Sequence, residues 1–360
     1  MRKQLLLMVV PILAALSLPV IAQDATPEVV TETAVTPIQL EGPAGERDAE
    51  ISGMVWYGDY LLLITENPFL YAEDDIEGKF FALEKADILE YLFEGENTDP
   101  LNPIEVPIYG PDIRDAVGGF EVAFDGFEAA VVVPATNAFA DDQIFLTIEA
   151  DTVSEEDPSM RGYLVWGSIL PTLSGIELRL DNYVALPTQT EFGNMSYETL
   201  LATPDSHIVA LYEVNGATAN PQPVAVSVDL ATGEASTIPV ENIEFRVTDA
   251  TTPDADGRFW VTNYFFPGET FLAVDADPLF EEYGMGASQA AYGGYERVVA
   301  MQYSAAGITR VDQAPIQLLQ TDEGTGRNWE GVETLEDRGL LVVTDRYPQT
   351  ILGFVPFEGE

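Results

Sequence analysis

The chain reads as an all-β protein, a β-propeller of five blades, on three observations. A degenerate unit recurs five times, the strands it contains are short and rich in β-branched and aromatic residues, and the last unit is truncated. A two-sheet sandwich is the alternative architecture.

Each unit opens with an acid on a short apolar strand, turns, and ends a second strand on a polar or acidic residue. Glu50 opens EISGMVW and the second strand, YLLLITEN, reaches Glu66. Glu128 opens EAAVVV and QIFLTIEA reaches Glu149. Glu198 opens ETLLATP and HIVALYEVN carries Glu213. Asp249 opens DATTPDADG and RFWVTNYF carries Asn263. Glu330 opens EGVETLEDRG and LLVVTDRY carries Asp345. The offsets from first to second polar residue are 16, 21, 15, 14 and 15, the second being stretched by PATNAFADD. Three opening acids follow an aromatic (Phe127, Tyr197, Trp329), and three have an arginine three residues earlier (Arg47, Arg246, Arg327).

Further strand candidates follow the first four units, such as KFFALEKADI with PIEVPIY and PVAVSVDL with ASTIPVE. Four strands per unit is the plan of a propeller blade. A sixth blade has room only in 264–326. Short helices are expected near 85–93 and 277–283. After LLVVTDRY only ILGFVPF remains, so the missing outer strand of the last blade is expected from VTPIQLEG (35–42), which closes the ring and covers a sheet edge.

The first 22 residues read as a secretory signal: Arg2 and Lys3, an apolar run from Leu5 to Leu16, and the small-residue site Val20-Ile21-Ala22. Residues 23–35 read as a flexible acidic leader, and 36–360 as one propeller domain. The expected location is secreted, periplasmic or extracellular, with no membrane insertion after cleavage.

Acidic residues number 61 against 15 basic ones, a formal net charge of −46. Such a surface repels nucleic acid, which needs Lys and Arg to displace its counterions, and attracts cations. With no cysteine and one histidine, His207, the chain lacks disulfides, thiolate chemistry and multi-histidine metal sites. His207 precedes a strand and reads as a turn residue.

In a propeller the first strand of each blade lines the axis. If the opening acids sit at equivalent positions, Glu50, Glu128, Glu198, Asp249 and Glu330 form one ring around it. Five like charges so placed cannot all stay ionised without a counterion: some protonate, or a cation such as calcium binds. Each acid also has a structural role open to it, capping backbone N–H groups of a neighbouring strand or pairing with a nearby arginine. The second set (Glu66, Glu149, Glu213, Asn263, Asp345) is expected near one mouth of the channel.

The phrases EISGMVWYGDYLLLITEN, DATTPDADGRFWVTNYF and NWEGVETLEDRGLLVVTDR resemble the phytase-like esterase domain, a family of secreted bacterial propellers, and more distantly gluconolactonase- and regucalcin-like propellers. The resemblance implies calcium-assisted hydrolysis of a phosphoester or carboxylic ester. Glu50, Glu128, Glu198, Asp249 and Glu330 would be metal ligands, with Glu50, Glu330 and Asp345 in catalysis. The chain departs from the family in lacking the Glu-Gly pair at Glu198-Thr199 and Asp249-Ala250. The alternative from another class is a non-catalytic extracellular propeller that binds a protein or glycan, with calcium purely structural.

Overall fold

Ile51–Tyr57 is apolar on both faces, and its turn to the next strand is the two-residue Gly58-Asp59, with Gly58 in the left-handed region that suits a tight hairpin. Burial is nearly continuous along this strand rather than alternating, the signature of a strand covered from both sides. The same holds for its counterparts, and the covering layers are the neighbouring sheets. The structure, a computed structural model, describes residues 30–95, 99–118, 122–135, 141–152, 157–321, 326–347 and 349–357. The expected signal segment and the first part of the leader lie outside the described residues.

The strands form antiparallel meanders. The first holds β2 (Ile51–Tyr57), β3 (Tyr60–Thr65), β4 (Gly78–Glu84) and β5 (Ile104–Tyr109). The second holds β6 (Val122–Val133), β7 (Gln143–Thr152), β8 (Arg161–Ile169) and β9 (Ile176–Leu186). The third holds β10 (Thr199–Ala202), β11 (His207–Leu211), β12 (Val224–Asp229) and β13 (Ala235–Pro239). The fourth holds β14 (Arg246–Ala250), β15 (Arg258–Phe265), β16 (Tyr295–Ser304) and β17 (Gly307–Arg310), with β18 (Ile316–Gln317) also on β16. The last holds β19 (Trp329–Leu335), β20 (Gly339–Thr344) and β21 (Leu352–Pro356), and β1 (Thr36–Ile38) adds its outer strand, Thr36 opposite Phe354. The N-terminal closure is thus as expected. The outer strands of the first two meanders also pair, in parallel, at Ile108–Ile176.

The inner strands touch in cyclic order: β2 on β6, β6 on β10, β10 on β14, β14 on β19, and β19 back on β2. That circuit makes the molecule a β-propeller and rules out the sandwich, whose two sheets would not close on themselves. The apolar core is correspondingly divided into slabs between neighbouring sheets, for example Val55, Leu62 and Phe80 against Phe127, Ile144 and Leu146. The stretch 264–326 supplies β16, β17 and β18 together with helices Pro278–Tyr283 and Ala287–Tyr292. Of the two expected helices, Lys85–Leu89 and Pro278–Tyr283 form, the latter capped by Asp277, which accepts from the Leu279 N–H.

Residues 30–35, the end of the expected leader, run along the fourth meander. Thr33 donates its N–H to the Gln317 carbonyl at 2.7 Å, and the Glu32 carboxylate accepts from Ser288 Oγ and from the Ser288 and Gln289 N–H groups.

Candidate functional site: a buried carboxyl cluster at the entry end of the axis

Antiparallel meanders put the starts of the inner strands and the ends of the second strands at one end of the axis, here the entry end. Register identifies equivalent positions there. Ile51 pairs with Thr65, Phe127 with Ile148, Val247 with Asn263 and Trp329 with Thr344. In the third meander the bond from Glu213 N–H to the Ser196 carbonyl matches those from Glu66 to Glu50 and from Asp345 to Asn328, which aligns Tyr197 with these residues.

The next position on each inner strand is Ser52, Glu128, Glu198, Thr248 and Glu330. This corrects the expectation that all five opening acids are equivalent. Glu50 lies two residues earlier, level with Gly126, Ser196, Arg246 and Asn328, and Asp249 lies one residue later. The register shifts within β2, β6, β14 and β19 displace the side chains, and a count along the sequence cannot see them. At the two non-acidic positions the hydroxyls bond the neighbouring inner strand: Ser52 Oγ donates to the Phe127 carbonyl at 2.5 Å and Thr248 Oγ1 to the Trp329 carbonyl at 2.7 Å.

Asp249 has the structural role. Its buried Oδ2 accepts from the Val332 N–H at 2.8 Å, and the Ala250 and Met54 N–H groups also bond it. It therefore ties three inner strands, and the acid it senses is Glu333 rather than the cluster.

The remaining acids share one electrostatic neighbourhood. Arg246 is buried among them and reaches Glu198 at 3.2 Å, Glu269 at 3.1 Å, Glu213 and the Tyr264 hydroxyl. Across the axis, Arg346 pairs with Glu50 at 2.5 Å, and Asn328 donates to Glu330 at 2.5 Å and to Asp345 at 3.2 Å. Even so, Glu149 Oε1, Glu198 Oε2, Glu213 Oε2, Glu269 Oε2 and Asp345 Oδ1 are buried without a hydrogen-bond partner.

Burial and mutual repulsion push these groups upward. Glu66 is raised to about 8 by burial and then by Asp345, Glu50 and Asp125. Glu198 is raised to about 7 by burial, with Arg246 pulling it back. Asp345 is raised to about 6 by burial and Glu50, against the Arg346 N–H and Asn328. Glu128 is pushed well up by burial, then by Glu66, Glu149, Glu198 and Glu330, and Glu330 by burial, Asp345 and Glu198. Near neutral pH the cluster thus holds both protonated and ionised carboxyls, which is what acid–base chemistry requires.

Of the predicted residues, Glu50, Glu128, Glu198, Glu330 and Asp345 come together here, and so do Glu66, Glu149 and Glu213. Asn263 does not enter the cluster: its amide bonds the Glu244 and Arg246 carbonyls, and the register places Tyr264 level with Glu66. Sequence reasoning noticed Arg246 only as a spacing and missed Tyr264, Glu269 and Asn328. An arginine inside an inner-strand motif of so acidic a chain was the available signal.

His207 lies at the other end. It opens β11, sits 3.1 Å from the Asp205 carbonyl, and borders a cavity of about 1580 Å³ with Trp56, Trp260, Lys85 and Glu333, where the inner strands finish. That cavity therefore lies at the opposite end of the axis from the carboxyl cluster.

The orphaned oxygens are hard donors of the kind calcium takes. Yet among the described residues no group of three or more His, Cys, Asp or Glu side chains is gathered to hold a metal ion. Also among the described residues, no helix is long and apolar enough to cross a membrane.

No family model matches the chain, and no curated protein matches it. Solved structures do. A bifunctional GH43-CE protein of Bacteroides eggerthii is similar at 12% identity and TM-score 0.43, over 90% of this chain and 35% of its own. The exo-β-1,3-galactanase of Phanerochaete chrysosporium is similar at 8% identity and TM-score 0.45, over 91% of this chain and 65% of its own. The soluble aldose sugar dehydrogenase of Escherichia coli is similar at 12% identity and TM-score 0.42, over 90% and 99%. The chain thus spans about a third of the first of these proteins and just under two thirds of the second. None of these similarities transfers a residue role.

Proposed function

We propose that this chain is an exported five-bladed propeller hydrolase whose entry-end carboxyls cleave a glycosidic bond in an uncharged substrate. The observation that carries this reading is the Glu66–Asp345 pair. They occupy equivalent positions on neighbouring meanders, each strongly senses the cluster's charge, and they lie on opposite sides of neutrality, at about 8 and about 6.

Glu66, only half-buried, is the proton donor. It protonates the glycosidic oxygen as the bond from that oxygen to the anomeric carbon breaks. A water oxygen attacks the anomeric carbon and gives its proton to Asp345. The carboxyls then exchange the proton, so one water is consumed and two hydroxyl products leave. Glu50 and Asp125 act through charge, helping to hold Glu66 protonated, and Arg246 keeps Glu198 and Glu213 in place.

The substrate class follows from charge. Substrate hydroxyls donate to the half-exposed carboxyls such as Asp125, whereas a phosphoester would meet a large excess of negative charge, with Arg346 and Arg47 exposed nearby to receive it. A carboxylic ester needs free N–H donors for its oxyanion, and those of Arg246 are committed to acids. Calcium supplies no step in this scheme. A purely binding role draws its support from the exit-end cavity.

The test is hydrolysis of a panel of aryl glycosides by the mature protein, with Glu66→Gln and Asp345→Asn beside it. Each variant is expected to lose about 100-fold or more in kcat/KM while keeping its circular dichroism spectrum. Turnover unchanged in both variants, or none on any member of the panel, sinks the proposal.

A further inference from the structure

Eight large apolar side chains are exposed among the described residues, and they are not scattered evenly. Leu70 lies between β3 and β4, Phe266 and Phe271 between β15 and β16, Leu319 between β18 and β19, and Tyr347 between β20 and β21. All five sit in connections at the entry end and are 41 to 57% exposed. The other three lie elsewhere: Ile104 and Tyr183 on the outer strands β5 and β9, and Phe93 in the connection from β4 to β5.

From this placement we infer that the entry end carries an apolar rim that binds an extended, uncharged glycan across the carboxyl mouth. The inference rests on the glycoside reading above and extends it to a polymer. Each aromatic member is joined to the cluster or held by a neighbour. The Phe266 backbone carbonyl accepts the Glu269 N–H at 2.9 Å, which ties this turn to the cluster because the Glu269 carboxylate reaches Arg246. Phe271 packs on Phe192 with ring centroids 4.8 Å apart. Tyr347 follows Arg346, the partner of Glu50, and its ring lies 4.8 Å from the Arg47 guanidinium.

Rings fixed at the edge of an acidic centre match the two faces of a sugar. Its C–H face packs on the rings, and its hydroxyls donate to the carboxylates. An apolar protein surface would cover the half-exposed Glu66 and Asp125 carboxyls without donors, and an anionic membrane is repelled by a net charge of −46. Because rim residues come from the first, fourth and last meanders, a ligand that touches Leu70 and Phe271 together reaches across non-adjacent blades. That requires several sugar units.

The experiment is calorimetric titration of the Glu66→Gln protein with uncharged gluco-, xylo- and arabino-oligosaccharides, from dimer to hexamer. For at least one series, affinity is expected to rise with chain length. Phe266→Ala and Tyr347→Ala, each added to that background, should weaken hexamer binding by about 5-fold, and Ile104→Ala should leave it unchanged. Affinity independent of length, insensitivity to both rim substitutions, or no binding to any series overturns the inference. Hydrolysis of aryl glycosides would survive that result. Conversely, length-dependent binding by a protein that hydrolyses nothing keeps the rim and removes the hydrolase.

Discussion

Replacing Arg246 by methionine keeps an unbranched apolar stem and removes only the charge and its N–H groups. Glu198, Glu213 and Glu269 would then lose their shared cationic partner inside the protein. Removing one partner of a buried ion network typically costs about 3–5 kcal/mol, because the partners left behind stay buried and uncompensated. Arg246→Met is therefore expected to lower stability in urea by that order at neutral pH and by less in acid, where the carboxyls can take protons instead. Equal losses at both pH values would mean that packing, not charge, is what Arg246 supplies. Asp249 makes the opposite case. Its oxygens accept N–H groups from two other inner strands, so Asp249→Asn keeps an acceptor and should be mild. Asp249→Ala strands the Val332 N–H and should cost about 1–3 kcal/mol. Neither change should alter the pH profile of hydrolysis, because Asp249 stands outside the cluster.

Among the elements, the inner strands are constrained by close approach. A Cβ on Gly53 would lie 2.9 Å from the Glu128 carbonyl oxygen, and one on Gly331 would lie 2.5 Å from Val343 Cγ1 and 3.2 Å from Met54 Cγ. Backbone yields less readily than a side-chain tip, so Gly53→Ala should cost about 1–3 kcal/mol in a denaturant titration. A stability equal to that of the unchanged protein would show that the strands can part there. These contacts also explain what could be read in the sequence. The strand segments, their hairpins and the borrowed outer strand follow from local alternation, turn residues and the truncated last unit. The register shifts arise where one sheet meets the next, near Gly53 and Gly331, and no residue announces them locally. So spacing brings Glu128, Glu198 and Glu330 to equivalent positions, but it assigns Glu50 and Asp249 a position that Ser52 and Thr248 occupy. Tyr264 was missed for the same reason, standing one residue beyond the Asn263 picked out by pattern. Arg246 was visible, but its three acidic partners come from different loops and strands and meet only once the ring closes.

At the scale of the whole molecule, two kinds of negative charge oppose folding, and pH and salt separate them. Of the 61 acidic residues, most of those in the described segments lie on the surface, where repulsion is screened by salt over a Debye length of about 8–10 Å. The entry-end carboxyls are buried or, like Glu66, half-buried, and salt reaches them poorly. Glu66, Glu198 and Asp345 have folded-state values raised to about 8, about 7 and about 6. A carboxyl raised on folding holds its proton more tightly in the native state than in the unfolded chain. Its contribution to stability is therefore complete below the unfolded value near 4 and is lost as pH rises through the folded one. Thermal stability should fall progressively from about pH 5 to about pH 8, the reverse of the trend for salt-bridged acids. Added sodium chloride should recover the part due to the surface and leave a residue due to the cluster. Glu66→Gln, neutral at every pH, should flatten that residue most between about pH 7 and about pH 8, because Glu66 is the highest of the three. A melting temperature that does not change over this range in high salt would mean that the buried carboxyls are compensated by a bound cation. The same melts repeated with calcium and with a chelator would then decide whether that cation is calcium.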